Sequence, residues 1–211
     1  MKPFNFVTGS AVPLMLDNVD TDVIVRINRL TTLARDQMGP YALEALRFLP
    51  DGTQDPACIL NQTRFRSAPI LLAGRNFGCG SSREGAVWAL AGFGIRCIVA
   101  ESFGDIFFSN CFQNGLLPVR LSRDRLNVLA SQVMAGESVT VSLEDSCITF
   151  PDGSKESFSV EPMKRLALLE GIDDITRTLT RRSVIQAWQA ADRLNRPWVW
   201  NQVEILPGPQ A

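Results

Sequence analysis

The chain of 211 residues carries 21 basic and 22 acidic side chains, so its formal net charge is -1. A near-neutral chain has no positive field that attracts phosphate backbones or anionic lipid, which argues against nucleic acid and membrane surfaces as partners. With 45% hydrophobic residues, it is long enough to bury a sizeable core. No apolar run approaches the about 20 residues that cross a bilayer, and the first ten residues lack the apolar segment of a signal peptide, so a cytoplasmic protein is expected.

Missing residue types limit the chemistry of this chain. The sequence contains no histidine, so catalytic triads and dyads that use imidazole as the base are excluded within it. Its five cysteines are widely spaced without a C-x-x-C pair, which favours reduced thiols over a disulfide framework or a metal site. We therefore expect no cofactor in this chain, and any cluster or histidine base has to come from a partner.

The first third of the chain alternates strand and helix patterns. FNFVTG and VIVRI are predicted to form short strands, separated by the turn-forming run LDNVDTD. Apolar residues recur at helical spacing in PYALEALRFL, which predicts a helix that begins near Pro40. The following LPDGTQDPA concentrates Pro, Asp and Gly and is predicted to be a surface loop.

The middle third gives the strongest pattern. PILLAG and IRCIVAE are continuous apolar runs of strand length, and SSREGAVWALAGFG between them is typical of a helix that ends at a glycine. This succession, with strands of the buried type, predicts a parallel crossover. The chain continues with a helix in SFGDIFFSNCFQNG that stops at Gly115, a strand in LPVRL and a helix in SRDRLNVLASQVMAG. A compact α/β unit is predicted.

Antiparallel strands and helices are predicted for the last third. ESVTVSL is a strand candidate, and SCITFPDGSKESFSV contains two strand-like runs separated by the turn PDGS. These runs predict an antiparallel addition and hence a mixed sheet. EPMKRLALLEG and RRSVIQAWQAADRLN are predicted helices, and RPWVWNQVEILPGPQA is predicted to be an extended arm.

The stretch NFGCGSSRE, directly after PILLAG, is the strongest candidate for a binding loop. Gly78 and Gly80 permit positive φ and a close approach of backbone to ligand, and the following helix presents free N–H groups that attract anions. Phosphate motifs do not match, because Arg83 replaces the third glycine of G-x-G-x-x-G and no G-K-[ST] occurs. The planar fork of Arg83 suits a carboxylate instead, so small carboxylic acids are the expected ligands. A structural interpretation stands beside this one, since Ser81 and Glu84 match the S-x-x-E capping box.

Ser81 can act as a base only with help from outside the chain. A hydroxyl with a pKa near that of water, about 15.7, costs on the order of 12 kcal/mol to ionise at pH 7. A helix N-terminus offsets only about 0.3–2 kcal/mol of this. Catalysis by Ser81 therefore requires several cationic groups or a metal ion nearby, and a partner chain is their natural source.

NFGCGSSRE, with its continuation AVWALAGFGIRCIVAESFGDIFFSNCFQNGLLPV, closely resembles the small-subunit family of bacterial 3-isopropylmalate dehydratases, enzymes of leucine biosynthesis in the aconitase superfamily. NVDTDVIV and LRFLPDGTQDPACILNQ are also similar to that family, so the resemblance runs from about Asn18 to Val119. It implies an α/β fold: a swivelling β/β/α domain, like the mobile domain of aconitase, at residues 1–160. A C-terminal helical extension and tail would follow at residues 161–211.

The resemblance also implies an activity that this chain performs only in a heterodimer. It would be the small subunit of a hydro-lyase that interconverts 2-isopropylmalate and 3-isopropylmalate through a dehydrated intermediate. The large subunit would carry a four-iron four-sulfur cluster, and the substrate would be a small dicarboxylic acid. Neither nucleic acid nor a membrane would be involved.

The same resemblance implies roles for five residues. Ser81 would be the base that removes or returns a proton at carbon, and Ser82 and Arg83 would bind a substrate carboxylate. Asp20 and Asp22 would lie at the mouth of the same cleft. For these two aspartates, a plain turn-forming role is the alternative.

The sequence allows two interpretations at each of three further positions. Arg47 belongs either to a substrate-specificity loop or to a solvated helix end, and Cys79 is either reactive or a small residue that fills the turn. The family usually has SSREHA, whereas this chain has Gly85 in place of the histidine, which either opens space beside the ligand or reflects neutral drift. The departure leaves open related hydro-lyases that act on citraconate or 2-methylmalate, dimethylmalate or homoaconitate. A non-catalytic carboxylate-binding module is the alternative from another class.

Overall fold

Strands and helices alternate along the chain in the computed structural model, which describes residues 1–81 and 83–200. The strands are β1 (Phe6–Gly9), β2 (Ala11–Pro13), β3 (Ile70–Ala73), β4 (Cys97–Ala100), β5 (Leu117–Arg120), β6 (Val139–Ser142), β7 (Cys147–Thr149) and β8 (Lys155–Ser157). The helices are α1 (Thr21–Ile24), α2 (Ile27–Thr32), α3 (Glu44–Arg47), α4 (Glu84–Phe93), α5 (Asp105–Gln113), α6 (Arg123–Met134), α7 (Pro162–Glu170), α8 (Asp174–Leu179), α9 (Arg182–Asn195) and α10 (Pro197–Trp200). Short 3-10 helices at Arg35–Gln37, Gly39–Tyr41 and Ile59–Asn61 lie between α2 and β3.

The strands form two sheets. β2, β3, β4 and β5 make a parallel sheet in that order, and β1, β6, β7 and β8 make an antiparallel sheet in that order. The predicted parallel crossover is confirmed, because β3 and β4 pair in parallel with α4 between them in the chain. The predicted α/β class is confirmed too, although the antiparallel strands form a sheet of their own instead of joining the parallel strands in one mixed sheet.

Alternate residues of the parallel strands face two different hydrophobic cores, which explains their unbroken apolar sequences. In β3, Leu71 and Ala73 pack into a core with α4 and α5, whereas Ile70 and Leu72 pack into a core with α6, α7 and the antiparallel sheet. A strand that is buried on both faces has no place for polar side chains. The parallel sheet is covered on both sides, so the loops at its strand ends are left to build a site.

The chain separates into two compact units, Met1–Asp173 and a second unit that begins at Asp174. The first unit extends past the predicted boundary at residue 160 because α7 belongs to it. Leu168 of α7 is fully buried in the core beside the antiparallel sheet, and its carbonyl oxygen accepts a hydrogen bond from the backbone N–H of Phe4 (2.9 Å). The second unit contains α8, α9 and α10. In the part of the chain that the structure describes, no helix has the length and apolarity to cross a membrane.

Three predicted elements differ from the structure. VIVRI is not a strand: the Asp20 carboxylate accepts a hydrogen bond from Val23 N–H (2.7 Å) and caps α1. The helix predicted for PYALEALRFL is interrupted at Leu43, whose φ of 54° separates a 3-10 helix from α3. The predicted extended arm begins with the helical turn α10, and its remainder, residues 201–211, lies outside the described residues.

Candidate active site

The stretch 76–84, here called the anion loop, follows β3 at the carboxyl end of the parallel sheet. Ligands of open α/β sheets bind at this end of the strands. The start of the loop is fixed by the chain after β4: Asn76 N–H donates to Ser102 Oγ (2.8 Å), and Phe77 N–H donates to the Ser102 carbonyl oxygen (3.0 Å). The loop is therefore anchored to the neighbouring strand before it reaches the predicted catalytic residues.

Glycine is required at position 78 because the ring of Phe107 packs directly beneath the loop. The φ of Gly78 is 72°, and a Cβ at this position would come closer than 3.0 Å to the ring of Phe107 in α5. The Phe107 ring also meets the ring of Phe77 edge to face, with centroids 5.5 Å apart. Gly80 has a φ of 85°, another conformation that favours glycine. The two glycines thus let the loop backbone lie directly on α5 and turn toward the solvent.

The segment Asp20–Asp22 lies beside the anion loop, and its position at the mouth of a substrate cleft stays a prediction. Thr21 N–H donates to the Cys79 carbonyl oxygen (3.0 Å), and Thr21 Oγ1 donates to the Ser81 carbonyl oxygen (2.9 Å). The Asp20 carboxylate is engaged as the cap of α1, which is the turn-forming role given as the alternative. Sequence reasoning missed Thr21, whose two hydrogen bonds join the segments.

Arg83 and Asp22 form an ion pair between Nη1 and Oδ1. The Arg83 side chain is 17% exposed and that of Asp22 is 53% exposed, so the aspartate stands on the solvent side of the pair. Guanidinium carries N–H donors on three nitrogens, and the contact with Asp22 uses one of them. The ion pair with Asp22 fixes the orientation of the Arg83 guanidinium. The N–H groups on its other nitrogens are of the kind that bind a carboxylate.

Ser81 is exposed, and its hydroxyl makes no hydrogen bond to residues 1–81 or 83–200. Ser82, the other serine of the motif, lies outside the described residues. Cys79 is half-buried within the loop. A free hydroxyl at the head of the loop is open to a ligand or a partner chain.

The predicted capping box is wrong. α4 begins at Glu84, its N-cap is Arg83, and no side chain among the described residues caps it. Because the Ser81 backbone is tied to Thr21, the chain turns through the loop before the helix begins. The Glu84 carboxylate reaches away from Ser81 and accepts a hydrogen bond from Asn114 Nδ2 (2.8 Å).

Arg47 is a buried residue, so the solvated helix end is wrong, and its place in a substrate-specificity loop stays a prediction. It is 8% exposed, so it is not a solvated helix end. Its Nη1 donates to the carbonyl oxygens of Pro40 (3.1 Å) and Ala42 (3.0 Å), and its guanidinium lies 4.4 Å from the Phe93 ring centroid. Burial lowers the pKa of Arg47. These contacts hold the segment around α3 together and do not bring Arg47 to the anion loop.

Gly85 lies in the first turn of α4, as predicted, and its missing side chain makes room for Leu30, whereas its effect on a ligand stays a prediction. The residue is buried, and a Cβ there would come closer than 3.0 Å to Cδ2 of Leu30. Leu30 of α2 packs against the same core as α4. The absence of a side chain at Gly85 therefore lets α2 sit directly on the start of α4.

An ion-pair cluster at the same end of the sheet was not foreseen. Arg123, the first residue of α6, contacts Asp17 (Nη2 to Oδ1, 2.5 Å) and Glu101 (Nε to Oε2, 2.6 Å). Asp17 Oδ1 also accepts from the Arg75 backbone N–H (2.8 Å), one residue before the anion loop. The hydrogen bonds from Arg123 and Arg75 hold the pKa of Asp17 below its usual value. The cluster ties together the loops that follow β2, β3 and β4.

Replacing Asp17 by asparagine should therefore make stability less sensitive to acid. A carboxyl whose pKa is lowered by folding contributes stability above its unfolded pKa and loses it as the pH falls through the folded pKa. We expect the wild type to be the more stable protein near neutral pH, with the difference in unfolding free energy shrinking as the pH falls below 3.8, the ordinary value for the group. Urea unfolding of both proteins at a series of pH values measures this. A difference in unfolding free energy that does not vary with pH would contradict the lowered pKa of Asp17.

No group of three or more cysteine, aspartate or glutamate residues that could hold a metal ion is found in the described part of the chain. All five cysteines are free, and burial raises the pKa of the Cys97 and Cys111 thiols. A neutral, buried thiol is inert as a ligand. The residues described here do not fit an iron–sulfur cluster.

Comparison with known proteins agrees with the sequence resemblance. The family model of the aconitase C-terminal domain matches residues 1–124. The chain is 45% identical over 201 residues to the 3-isopropylmalate dehydratase small subunit of Paramagnetospirillum magneticum, covering 94% of this chain and 100% of the relative. It is 46% identical over 200 residues to that of Rhodospirillum centenum, covering 94% and 98%.

A solved structure gives the same result for the fold. The 3-isopropylmalate dehydratase of Methanocaldococcus jannaschii superposes with a TM-score of 0.64 and 26% sequence identity, covering 87% of this chain and 99% of that one. The chain therefore belongs to the family of 3-isopropylmalate dehydratase small subunits, in the aconitase superfamily.

Proposed function

We propose that this chain is the small subunit of a 3-isopropylmalate dehydratase and that it acts in leucine biosynthesis together with a large subunit. The observation that carries the proposal is the held cation, Arg83 paired with Asp22, beside the free hydroxyl of Ser81 in a chain whose relatives bear this name. A cytoplasmic location agrees with this role.

The reaction moves a hydroxyl group between two neighbouring carbons. Dehydration removes a proton from one carbon and hydroxide from the next, and rehydration in the opposite sense returns them exchanged. In this proposal Ser81 takes the proton at carbon and later returns one, while Arg83 holds a substrate carboxylate with its planar fork. Ser82 would bind the same carboxylate, as the resemblance implies.

Asp22 gives Arg83 its direction. A guanidinium that is already paired loses less side-chain freedom when the substrate binds, because its rotamer is set beforehand. The substrate carboxylate would take the donors that Asp22 leaves. Asp20 acts indirectly, because its side chain caps α1 and so fixes the helical turn that carries Asp22.

The superfamily implies a four-iron four-sulfur cluster, which we assign to the large subunit. Such a centre, with the cationic groups of the partner, would supply the Lewis acid and the positive field that a serine alkoxide requires. The residues of this chain would contribute the proton transfer, the carboxylate contact and the exclusion of water as the subunit closes.

Anaerobic co-purification with a cluster-bearing large subunit tests the proposal. We expect a complex that turns over 2-isopropylmalate faster than 2-methylmalate, dimethylmalate or homoaconitate, read at the absorbance of the unsaturated intermediate, and no turnover by either subunit alone. A complex that prefers one of the other acids would identify a related hydro-lyase. A complex that binds acids without turnover would identify a carboxylate-binding module.

Replacing Arg83 by lysine should weaken substrate binding in the reconstituted enzyme. An ammonium group cannot reproduce the bidentate fork, and a hydrogen bond to a charged group contributes about 1.5–3 kcal/mol, so KM should rise about tenfold or more. The matched control is Arg75→Lys, because Arg75 is exposed and its hydrogen bond to Asp17 uses the backbone N–H. Steady-state kinetics of both variants decide the matter, and equal KM values for them would refute the role of Arg83.

A further inference from the structure

Helix α5 holds the anion loop near both of the loop's ends. At the N-terminal end of α5, Gly104 N–H donates to the Phe77 carbonyl oxygen (2.9 Å). At the C-terminal end, the cap residue Asn114 donates from Nδ2 to Glu84 Oε1 (2.8 Å). Phe77 lies at the beginning of the anion loop and Glu84 at its end. One rigid helix therefore spans the loop that carries Ser81 and Arg83.

The Asn114 amide uses its full hydrogen-bonding capacity. Its oxygen accepts from Trp88 Nε1 (3.0 Å) and from Arg35 Nη2 (2.8 Å). Its nitrogen donates to Glu84 Oε1 (2.8 Å) and to the Asn110 carbonyl oxygen (2.9 Å). An amide has two acceptor and two donor positions, and all four are matched here. Only one orientation of the amide satisfies these partners, so the nitrogen is directed at Glu84.

Glu84 and Trp88 both hydrogen-bond to this amide from one face of α4, because residues four apart in a helix point the same way. The Arg35 guanidinium completes the cluster by lying over the Trp88 ring, 5.2 Å from its centroid. Asn114 is half-buried between these side chains. The cluster joins the first turn of α4 to the end of α5.

We propose that Asn114 is a positioning residue for the reaction, through its hydrogen bond to Glu84. Glu84 is the first residue of α4 and the neighbour of Arg83, so the bond fixes the point at which the Arg83 side chain leaves the backbone. Asn114 makes no contact with Ser81 or Arg83 among the hydrogen bonds of the described residues, and it acts on them only through Glu84. This inference rests on the proposed function for its kinetic consequence, whereas its structural consequence is independent of any activity.

Asn114→Asp tests the bond with almost no change in shape. The variant keeps an oxygen for Trp88 and Arg35 but turns a second oxygen toward the Glu84 carboxylate and the Asn110 carbonyl oxygen, so that acceptors face each other. Adding Glu84→Gln to the same chain restores one donor and one acceptor with the direction reversed. Arg35→Met is the matched control, since it removes one hydrogen bond from Asn114 on an exposed side chain and leaves the bond to Glu84 intact.

Two measurements test whether Asn114 positions the anion loop. Amide hydrogen exchange across residues 76–86 of the isolated chain should become about tenfold faster in Asn114→Asp and return close to the wild-type rate in the double variant and the control. In the reconstituted enzyme, KM for isopropylmalate should rise about tenfold in Asn114→Asp, with kcat much less affected, since misplacement by about 1 Å costs up to about 100-fold. The double variant should recover most of this loss.

The proposal and the proposed function fail in different ways. If the wild-type chain gives no turnover with the large subunit, the proposed function falls, and the exchange rates alone decide on Asn114. Unchanged exchange in Asn114→Asp, or no recovery in the double variant, would overturn the positioning role. A uniform loss of thermal stability in all variants, with kcat reduced and KM unchanged, would also overturn it, because that result indicates a general loss of packing.

Discussion

Replacing Ser81 by alanine should remove most of the turnover of the assembled enzyme while leaving the fold and the complex intact. A positioned general acid or base contributes about 100- to 10,000-fold to a rate, so kcat should fall by about that range. Ser81 is exposed, and its hydroxyl has no hydrogen-bond partner in the described residues, so the unfolding free energy should change by no more than about 0.5 kcal/mol. Turnover by the purified complex measures the loss of activity, urea unfolding of the isolated chain measures the change in unfolding free energy, and gel filtration follows complex formation.

Ser131→Ala is the control for this experiment. Ser131 is another exposed serine, on α6, whose hydroxyl donates to the Val128 carbonyl oxygen (2.7 Å) within its own helix. Its loss should leave turnover unchanged. If Ser81→Ala retains near-normal kcat in a properly assembled complex, the proton at carbon is moved by another group, and the large subunit becomes the place to look for it.

The parallel sheet could be predicted from the sequence because its strands are buried on both faces. Such strands are short, unbroken apolar runs, and the glycines and polar turns around them mark their ends. VIVRI has a similar composition, but it contains the end of α1 and the start of α2, since a short apolar run does not distinguish a strand from a helical turn. The hydrogen bond from Val23 N–H to the Asp20 carboxylate favours the helical turn over a strand.

The anion loop could be located from the sequence, but its local geometry could not. S-x-x-E is a local signature, and here it is overridden by partners that lie far away in the chain. The Ser81 carbonyl oxygen accepts from Thr21, 60 positions earlier, and Glu84 accepts from Asn114, 30 positions later. The pair of Asp17 and Arg123 spans 106 positions. Contacts of this kind become visible only when the fold brings the strand ends together.

Position 85 shows how packing changes the meaning of a sequence difference. The sequence resemblance leads us to expect a histidine there, and this chain has a glycine packed against Leu30. Helix α2, which carries Leu30, is held from its other side, because Arg29 Nη2 pairs with the buried Glu44 (3.1 Å) and its guanidinium lies 4.0 Å from the Tyr41 ring centroid. A larger residue at position 85 therefore presses on a helix with little freedom to withdraw.

Gly85→His should weaken substrate binding through α2 and not by contact with the substrate. Overpacking of a buried site costs about 1–3 kcal/mol, and α1, which carries Asp22, directly precedes α2, so the pair of Asp22 and Arg83 should loosen and KM should rise about tenfold. Gly85→Ala should do much less, since Cγ and Cδ1 of Leu30 would lie 3.5 and 3.7 Å from the new Cβ and only Cδ2 has to turn away.

The decisive measurement is the ratio of kcat/KM between isopropylmalate and 2-methylmalate on one large subunit. Both acids present a carboxylate to Arg83, so an effect that travels through Asp22 lowers both values together and leaves the ratio unchanged. Adding Leu30→Ala to Gly85→His makes room for the ring and should restore much of the loss for both acids. A ratio that shifts in favour of the smaller acid, without recovery in the double variant, would instead place the side chain at position 85 against the substrate.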